Sequence, residues 1–159
     1  MGSGHSSEEI AQAKQKIASY CAYQERCQQE VRDKLYSYGL FSNEVEELIA
    51  WLITENFLNE ERFAITFAGG KFRVKRWGKL KISQALQLKD ISAYCIRKGL
   101  SEIDNNEYQK AISDLAIKKM NELQPKYSNS YQLKDKTSRF LINRGFEPDL
   151  VWEVLKSMD

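Results

Sequence analysis

Histidine is almost missing from this chain of 159 residues. The single copy, His5, lies in Met1-Gly-Ser-Gly-His-Ser-Ser7, which reads as an expression-vector remnant and is set aside from fold reasoning. No imidazole is then left for a metal site or a general base, and no His/Cys cluster has zinc spacing. Cysteine is scarce as well. Cys21, Cys27 and Cys95 form no CxxC pair and leave an odd thiol in any disulfide scheme. They are expected as reduced thiols of a cytoplasmic protein, with Cys27 and Cys95 packing as small hydrophobes. No apolar run approaches the roughly 20 residues of a membrane span, so the chain should be soluble.

Phosphate-loop and nucleophile motifs are lacking too. There is no GxxxxGK[ST], so Gly69-Gly70-Lys71 is not a phosphate cradle. No carboxylates converge with a Ser or Cys, and Glu46-Glu47 and Glu60-Glu61 read as charges at helix starts. The sequence therefore argues against an enzyme and calls for no cofactor, no metal and no catalytic residue. Only two prolines interrupt it, Pro125 and Pro148, in a composition 42% apolar and 29% charged. That balance suits an ordered helical protein.

What the chain does have is a segment that comes round three times. Leu35-Tyr-Ser-Tyr-Gly39-Leu40, Leu86-Gln-Leu-Lys-Asp90-Ile91 and Leu141-Ile-Asn-Arg-Gly145-Phe146 each place a turn residue four positions after a Leu, then an apolar residue. Four residues before each Leu stand Val31, Ile82 and Thr137. Gly39 and Gly145 suit the left-handed conformation of a helix C-terminus, and Asp90 is one of the few other residues to tolerate it. Each copy thus ends one helix and starts another. The fold expected is all-α, with three tandem three-helix (helix-turn-helix-like) repeats over 8–58, 59–103 and 104–159 making an elongated molecule, expected to be a monomer. A plain helical bundle with coincidental helix stops is the alternative.

Local signals place the helices. Cys27, Val31, Leu35 and Tyr38 share one helical face. Asn43 with Glu46 has capping-box spacing, and Asn59 and Ser92 are further candidate caps. Phe63, Phe67, Gly70 and Val74 mark the inner face of the helix after Asn59. Two adjacent glycines inside that helix predict either a closely packed neighbouring backbone or a kink. A helix starting near Asp104–Asn106 should stop at Pro125, with residues 126–131 as a loop.

Charge is segregated. From Asn43 to Glu61 every ionisable residue is acidic. From Arg62 to Lys89 all are basic: Arg62, Lys71, Arg73, Lys75, Arg76, Lys79, Lys81 and Lys89. Together with Trp77, all of these but Lys89 are the candidate partner-binding surface. Such a block serves phosphate neutralisation with stacking, docking to an acidic protein groove, or nothing beyond solvation of a helix face. Trp77 reads either as a packing residue at a hinge or as a stacking platform.

Three stretches carry a resemblance: Leu58-Asn-Glu-Glu-Arg-Phe-Ala64, Arg76-Trp-Gly-Lys-Leu-Lys-Ile82 followed by Leu86, and Phe140-Leu-Ile-Asn-Arg-Gly-Phe146. They resemble the RecX family of recombinase regulators, with Glu60 in place of a usual Asp and Leu80 and Asp90 in place of a frequent Pro and Gly. The resemblance implies a curved, non-enzymatic helical rod. Its partner would be the RecA filament on DNA, whose growth, ATP hydrolysis, strand exchange and co-protease activity it would restrain, in DNA repair, recombination and the SOS response. A stand-alone nucleic-acid-binding module is the rival reading.

Overall fold

The computed structural model describes residues 4–158, so Met1–Ser3 of the expected vector remnant lie outside the described residues. Among the described residues nine helices follow in order: α1 Ser7–Tyr23, α2 Gln28–Ser37, α3 Ser42–Thr54, α4 Glu60–Lys75, α5 Lys79–Leu88, α6 Ala93–Ser101, α7 Asn105–Leu123, α8 Ser130–Asn143 and α9 Pro148–Lys156. Among the described residues there is no strand. Extensive helix–helix packing falls within α1–α3, α4–α6 and α7–α9 and not between these triads. The accessible surface is 9702 Å², against about 8,200 Å² for a compact monomer of this mass. The molecule is a linear array of three helix triads.

The thrice-repeated segment is the stop signal of each middle helix. Leu35, Leu86 and Leu141 are fully buried, as are Val31, Ile82 and Thr137 one turn before them. Gly39, Asp90 and Gly145 all take positive φ, at 86°, 62° and 100°. Their amides donate to equivalent carbonyls, those of Tyr36, Gln87 and Ile142, at 2.9–3.0 Å. Ile91 and Phe146 close the wider ring, donating to Leu86 and Leu141. This pairing satisfies carbonyls that a helix end leaves open and turns the chain towards the next helix.

Start signals are mostly local. The side chains of Asn59, Ser92, Asp104 and Asn129 accept from the amide three residues on, at 2.8–3.2 Å. Each such cap contributes about 1 kcal/mol. The expected Asn43–Glu46 box does not form. Helix α3 begins at Ser42, Glu44 accepts from the Phe41 amide at 2.8 Å, and Glu46 is drawn away to Arg32, also at 2.8 Å. Glu44 also accepts from the His5 amide and Nδ1–H, both at 2.8 Å. His5 stacks on Phe41, and Ser6 caps α1 with Glu9. His5 and Ser6, set aside with that segment at the sequence level, therefore pack on the first triad. Residues 130 and 131, expected in a loop, open α8.

Two apolar cores result. One belongs to the first triad, built on Ile17, Val31, Leu35, Val45 and Leu52. The other runs continuously through the second and third triads, from Phe63 and Phe72 through Tyr108 to Phe146 and Leu155. Cys27 is the one buried residue of the first triad in that second core. All three cysteines are unpaired and buried, and burial pushes the Cys21 thiol up to about 11.

The inner face of α4 differs from expectation at its end: Val74 is 78% exposed, whereas Phe72 is 2% exposed, against Tyr108 at 5.5 Å. Gly69 and Gly70 stay within a continuous helix, and the atoms nearest a Cβ on Gly69 would be those of the Arg73 guanidinium. The close approach lies elsewhere, at Gly99 of α6, where a Cβ would stand 2.7 Å from the Ala64 carbonyl oxygen. A Cβ on Gly70 would meet nothing within 4 Å. Gly70→Ala should therefore stabilise the protein by about 1 kcal/mol. Gly99→Ala should destabilise it by about 1–3 kcal/mol through overpacking. Urea unfolding midpoints of the two variants check both signs.

Candidate partner-binding surface

Apart from Arg62, the basic residues singled out as a partner-binding surface sit around one corner, where α4 ends and α5 begins. Arg76 caps α4 in the left-handed conformation at φ 55°, its amide donating to Phe72 at 3.0 Å. The turn brings Trp77 back so that its amide donates to Lys71 at 3.2 Å. The indole packs half-buried on the second core, with the Lys71 and Lys81 ammoniums 4.9 and 4.6 Å from its ring. Trp77 is thus a hinge-packing residue that also gathers two cations. Lys79 reaches the Tyr108 ring at 4.8 Å.

A second group lies round the helix, since residue 73 is about 200° from residue 71 at 100° per residue. Arg73 lies over Gly69, where a Cβ would stand 2.8 Å from its guanidinium. Arg73 and Arg76 line a cavity of about 310 Å³ with Phe72, Glu107, Lys110 and Asp114. Lys75 and Arg76 line the next, about 330 Å³, with Lys118, Lys119, Glu122 and Arg144. The third triad therefore adds Lys110, Lys118, Lys119 and Arg144, which reading the sequence as separate units missed. It also adds acids: Glu107, Asp114 and Glu122 face the block that has none of its own.

Arg62 is not part of this surface. Its Nε donates to Glu25 at 2.7 Å, and its terminal nitrogens donate to the Asn56 side chain and to the carbonyls of Asn56 and Phe57. It fastens the first triad to the second.

The corner is locked to the third triad through backbone. The Gly78 amide donates to Arg144 at 2.8 Å and the Leu80 amide to Gly145 at 2.9 Å. A Cβ on Gly78 would stand 2.2 Å from the Gly145 carbonyl carbon, and one on Gly145 2.3 Å from the Lys81 Cβ. Arg144 donates back to the carbonyls of Arg76 and Lys75. Tyr108 accepts from the Lys79 amide at 2.9 Å and donates to Glu147. Burial, reinforced by that bond to Glu147, holds the Tyr108 phenol far above its ordinary pKa.

Comparisons with known proteins agree with this architecture. Residues 59–100 match the model of the RecX second three-helix domain, and residues 106–155 that of the third. The chain belongs to the RecX family. It is 32% identical over 133 residues to Regulatory protein RecX of Clostridium perfringens (strain 13 / Type A), covering 84% of this chain and 62% of that protein. It is also 32% identical over 132 residues to Regulatory protein RecX of Streptococcus uberis, covering 83% of this chain and 50% of that protein. The chain thus spans half to three-fifths of the length of these curated RecX relatives. The crystal structure of RecX from Lactobacillus salivarius superposes with a TM-score of 0.87 at 21% identity, covering 97% of this chain and 99% of that one. Family and all-helical fold therefore agree. Among the described residues no helix is long and apolar enough to cross a membrane.

Tyr108→Phe removes the acceptor of the Lys79 amide and the donor to Glu147 in one step. The variant should lose about 1–3 kcal/mol, whereas Tyr94→Phe, on an exposed side chain, should unfold at the wild-type urea concentration.

Proposed function

We propose that this chain is a non-enzymatic, cytoplasmic, monomeric regulator of a RecA recombinase. It binds the RecA–DNA filament and restrains filament growth, ATP hydrolysis and strand exchange, and so acts on DNA repair and recombination. The observation that carries this reading is the cationic corner of α4 and α5, fixed against the third triad in an open array. Lys71, Arg73, Lys75, Arg76, Lys79 and Lys81 supply positive charge from the second triad, and Lys110, Lys118, Lys119 and Arg144 extend it. An array of triads with separate faces can lie along another assembly and contact it at several points. Positive charge facing an anionic filament raises the association rate and orients docking. The family's curated members carry the name of a regulator, which supports the same class.

The test is RecA ATPase on single-stranded DNA. Wild-type protein should inhibit it, and the triple variant Arg73→Glu/Lys75→Glu/Arg76→Glu should need at least about tenfold more protein for half-inhibition, equivalent to about 1.4 kcal/mol of lost coupling. Circular dichroism of the variant should be unchanged, since all three side chains are exposed. Undiminished inhibition by the folded variant would remove the corner from the mechanism. Tight binding to bare DNA without any effect on the recombinase would favour a stand-alone nucleic-acid-binding module.

A further inference from the structure

We propose that the first triad carries a separate binding site of its own, a shallow groove of α1 and α2 that takes single-stranded nucleic acid. The groove measures about 620 Å³ and is lined by Lys16, Tyr20, Tyr23, Arg26, Lys34 and Tyr38, with three uncharged polar side chains and no carboxylate. It shares no residue with the α4–α5 corner and lies before both stretches matched by the family's domain models. The proposal stands whether or not the chain acts on a recombinase.

Three features point to a strand of unpaired bases. The first is the pairing of cations with aromatic rings. The Arg26 guanidinium lies 3.7 Å from the Tyr20 ring centroid, Lys34 lies 5.3 Å from the same ring, and Lys16 lies 5.6 Å from Tyr38. Alternating π-faces and cations are what bases and phosphates of a single strand require, and guanidinium planes stack bases as rings do.

The second is preorganisation. Arg26 Nε donates to the Tyr20 carbonyl at 3.0 Å, and Tyr20 and Tyr38 pack against the first core, so the platform is held before any ligand arrives. Tyr23, by contrast, is 82% exposed and offers its ring to solvent. An apolar side chain would have served the core better than three phenols, and an exposed Tyr gains nothing from folding.

The third is unspent charge. Among the described residues none of Lys16, Arg26 and Lys34 has a carboxylate within 4.0 Å, whereas Arg32, about 200° round α2 from Lys34, is paired with Glu46. Free cations around uncharged rings leave phosphate neutralisation available. An acidic peptide would satisfy the cations but leave the rings without a partner, so a nucleic acid fits the whole groove.

The experiment is fluorescence anisotropy of a labelled twenty-nucleotide oligothymidylate against the full chain, with no recombinase present. Wild-type protein should bind, with log affinity falling against log salt. Lys16→Glu/Lys34→Glu should weaken binding at least about tenfold and flatten that slope. Tyr23→Ala should weaken it at least about fivefold, the lower end for loss of one stacked base, and its exposed position keeps the variant folded. Photocrosslinking of a 5-iodouracil oligonucleotide should label Tyr20 or Tyr23, and should do so equally in Arg73→Glu/Lys75→Glu/Arg76→Glu. Absence of binding at low salt, wild-type affinity in both groove variants, crosslinks confined to residues beyond 58, or equal affinity for duplex DNA would each overturn the proposal. So would a polyglutamate peptide that binds the groove while oligothymidylate does not.

Discussion

The second and third triads meet at a place where neither Gly78 nor Gly145 could carry a side chain. A Cβ on Gly78 would sit at 2.2 Å from the opposing backbone, far inside van der Waals contact. That approach lets backbone amides of one triad bond to backbone carbonyls of the other at 2.8 and 2.9 Å. Because the amides belong to the start of α5, which has no capping side chain of its own, the third triad supplies the partners that a helix N-terminus needs. Much else follows. The contact brings Phe146 onto Tyr108 and Tyr108 onto Phe72, making two triads share one core. It also sets α7 beside the end of α4, so that cations from both triads line the same cavities.

The other junction is built differently. Where the first triad meets the second, a partly exposed guanidinium holds one carboxylate and three oxygens of the Asn56–Phe57 turn, and Cys27 alone reaches across into the apolar interior. Apolar burial, not exposed ion pairing, dominates cohesion. The second and third triads are therefore one cooperative body, and the first is a body joined to it by a polar clasp. Local opening follows such boundaries. A ligand that touched both sides of the clasp would gain from contacts on either body without having to distort a shared core.

Legibility in the sequence tracks how local each determinant is. The repeated Leu and its left-handed follower were readable because both demands arise within six residues: a buried side chain and a residue that tolerates positive φ. Even Asp90, the one departure, obeys that backbone rule at 62°. Asn59 and Ser92 were readable as caps because their bonds close within three residues. Asn43 failed by the same logic. It competed with Glu44, which gained two amides and an imidazole, and it lost Glu46 to Arg32 fourteen residues away. Val74 was misassigned because the end of α4 instead buries Phe72 against Tyr108 of the third triad, which no periodicity within α4 encodes. At the candidate surface, charge order along the chain could show a block without acids but not that Glu107 and Asp114 cross to face it, nor that Arg62 faces the first triad.

Those crossing acids change the electrostatics of the basic corner. In cavities of only about 310 and 330 Å³, Arg73 and Arg76 share space with two carboxylates, and Lys118 and Lys119 with one. Their positive potential towards a partner is reduced, and an exposed pair of this kind is itself worth little to stability. A phosphate or acidic side chain entering here would compete with a weak internal partner rather than with bulk water alone. By the same measure Lys75 shares its cavity with Glu122, and Lys71 lines one of about 360 Å³ with Glu25 and Glu30. At such a corner the lysines, compact point charges on flexible stems, would serve attraction and its salt dependence, while the arginines, whose planar forks bind two oxygens at once, would fix geometry after contact. On the proposed reading attraction and alignment would fall to different residue types on the same corner, and the glycine-tight joint beneath would keep the two in register.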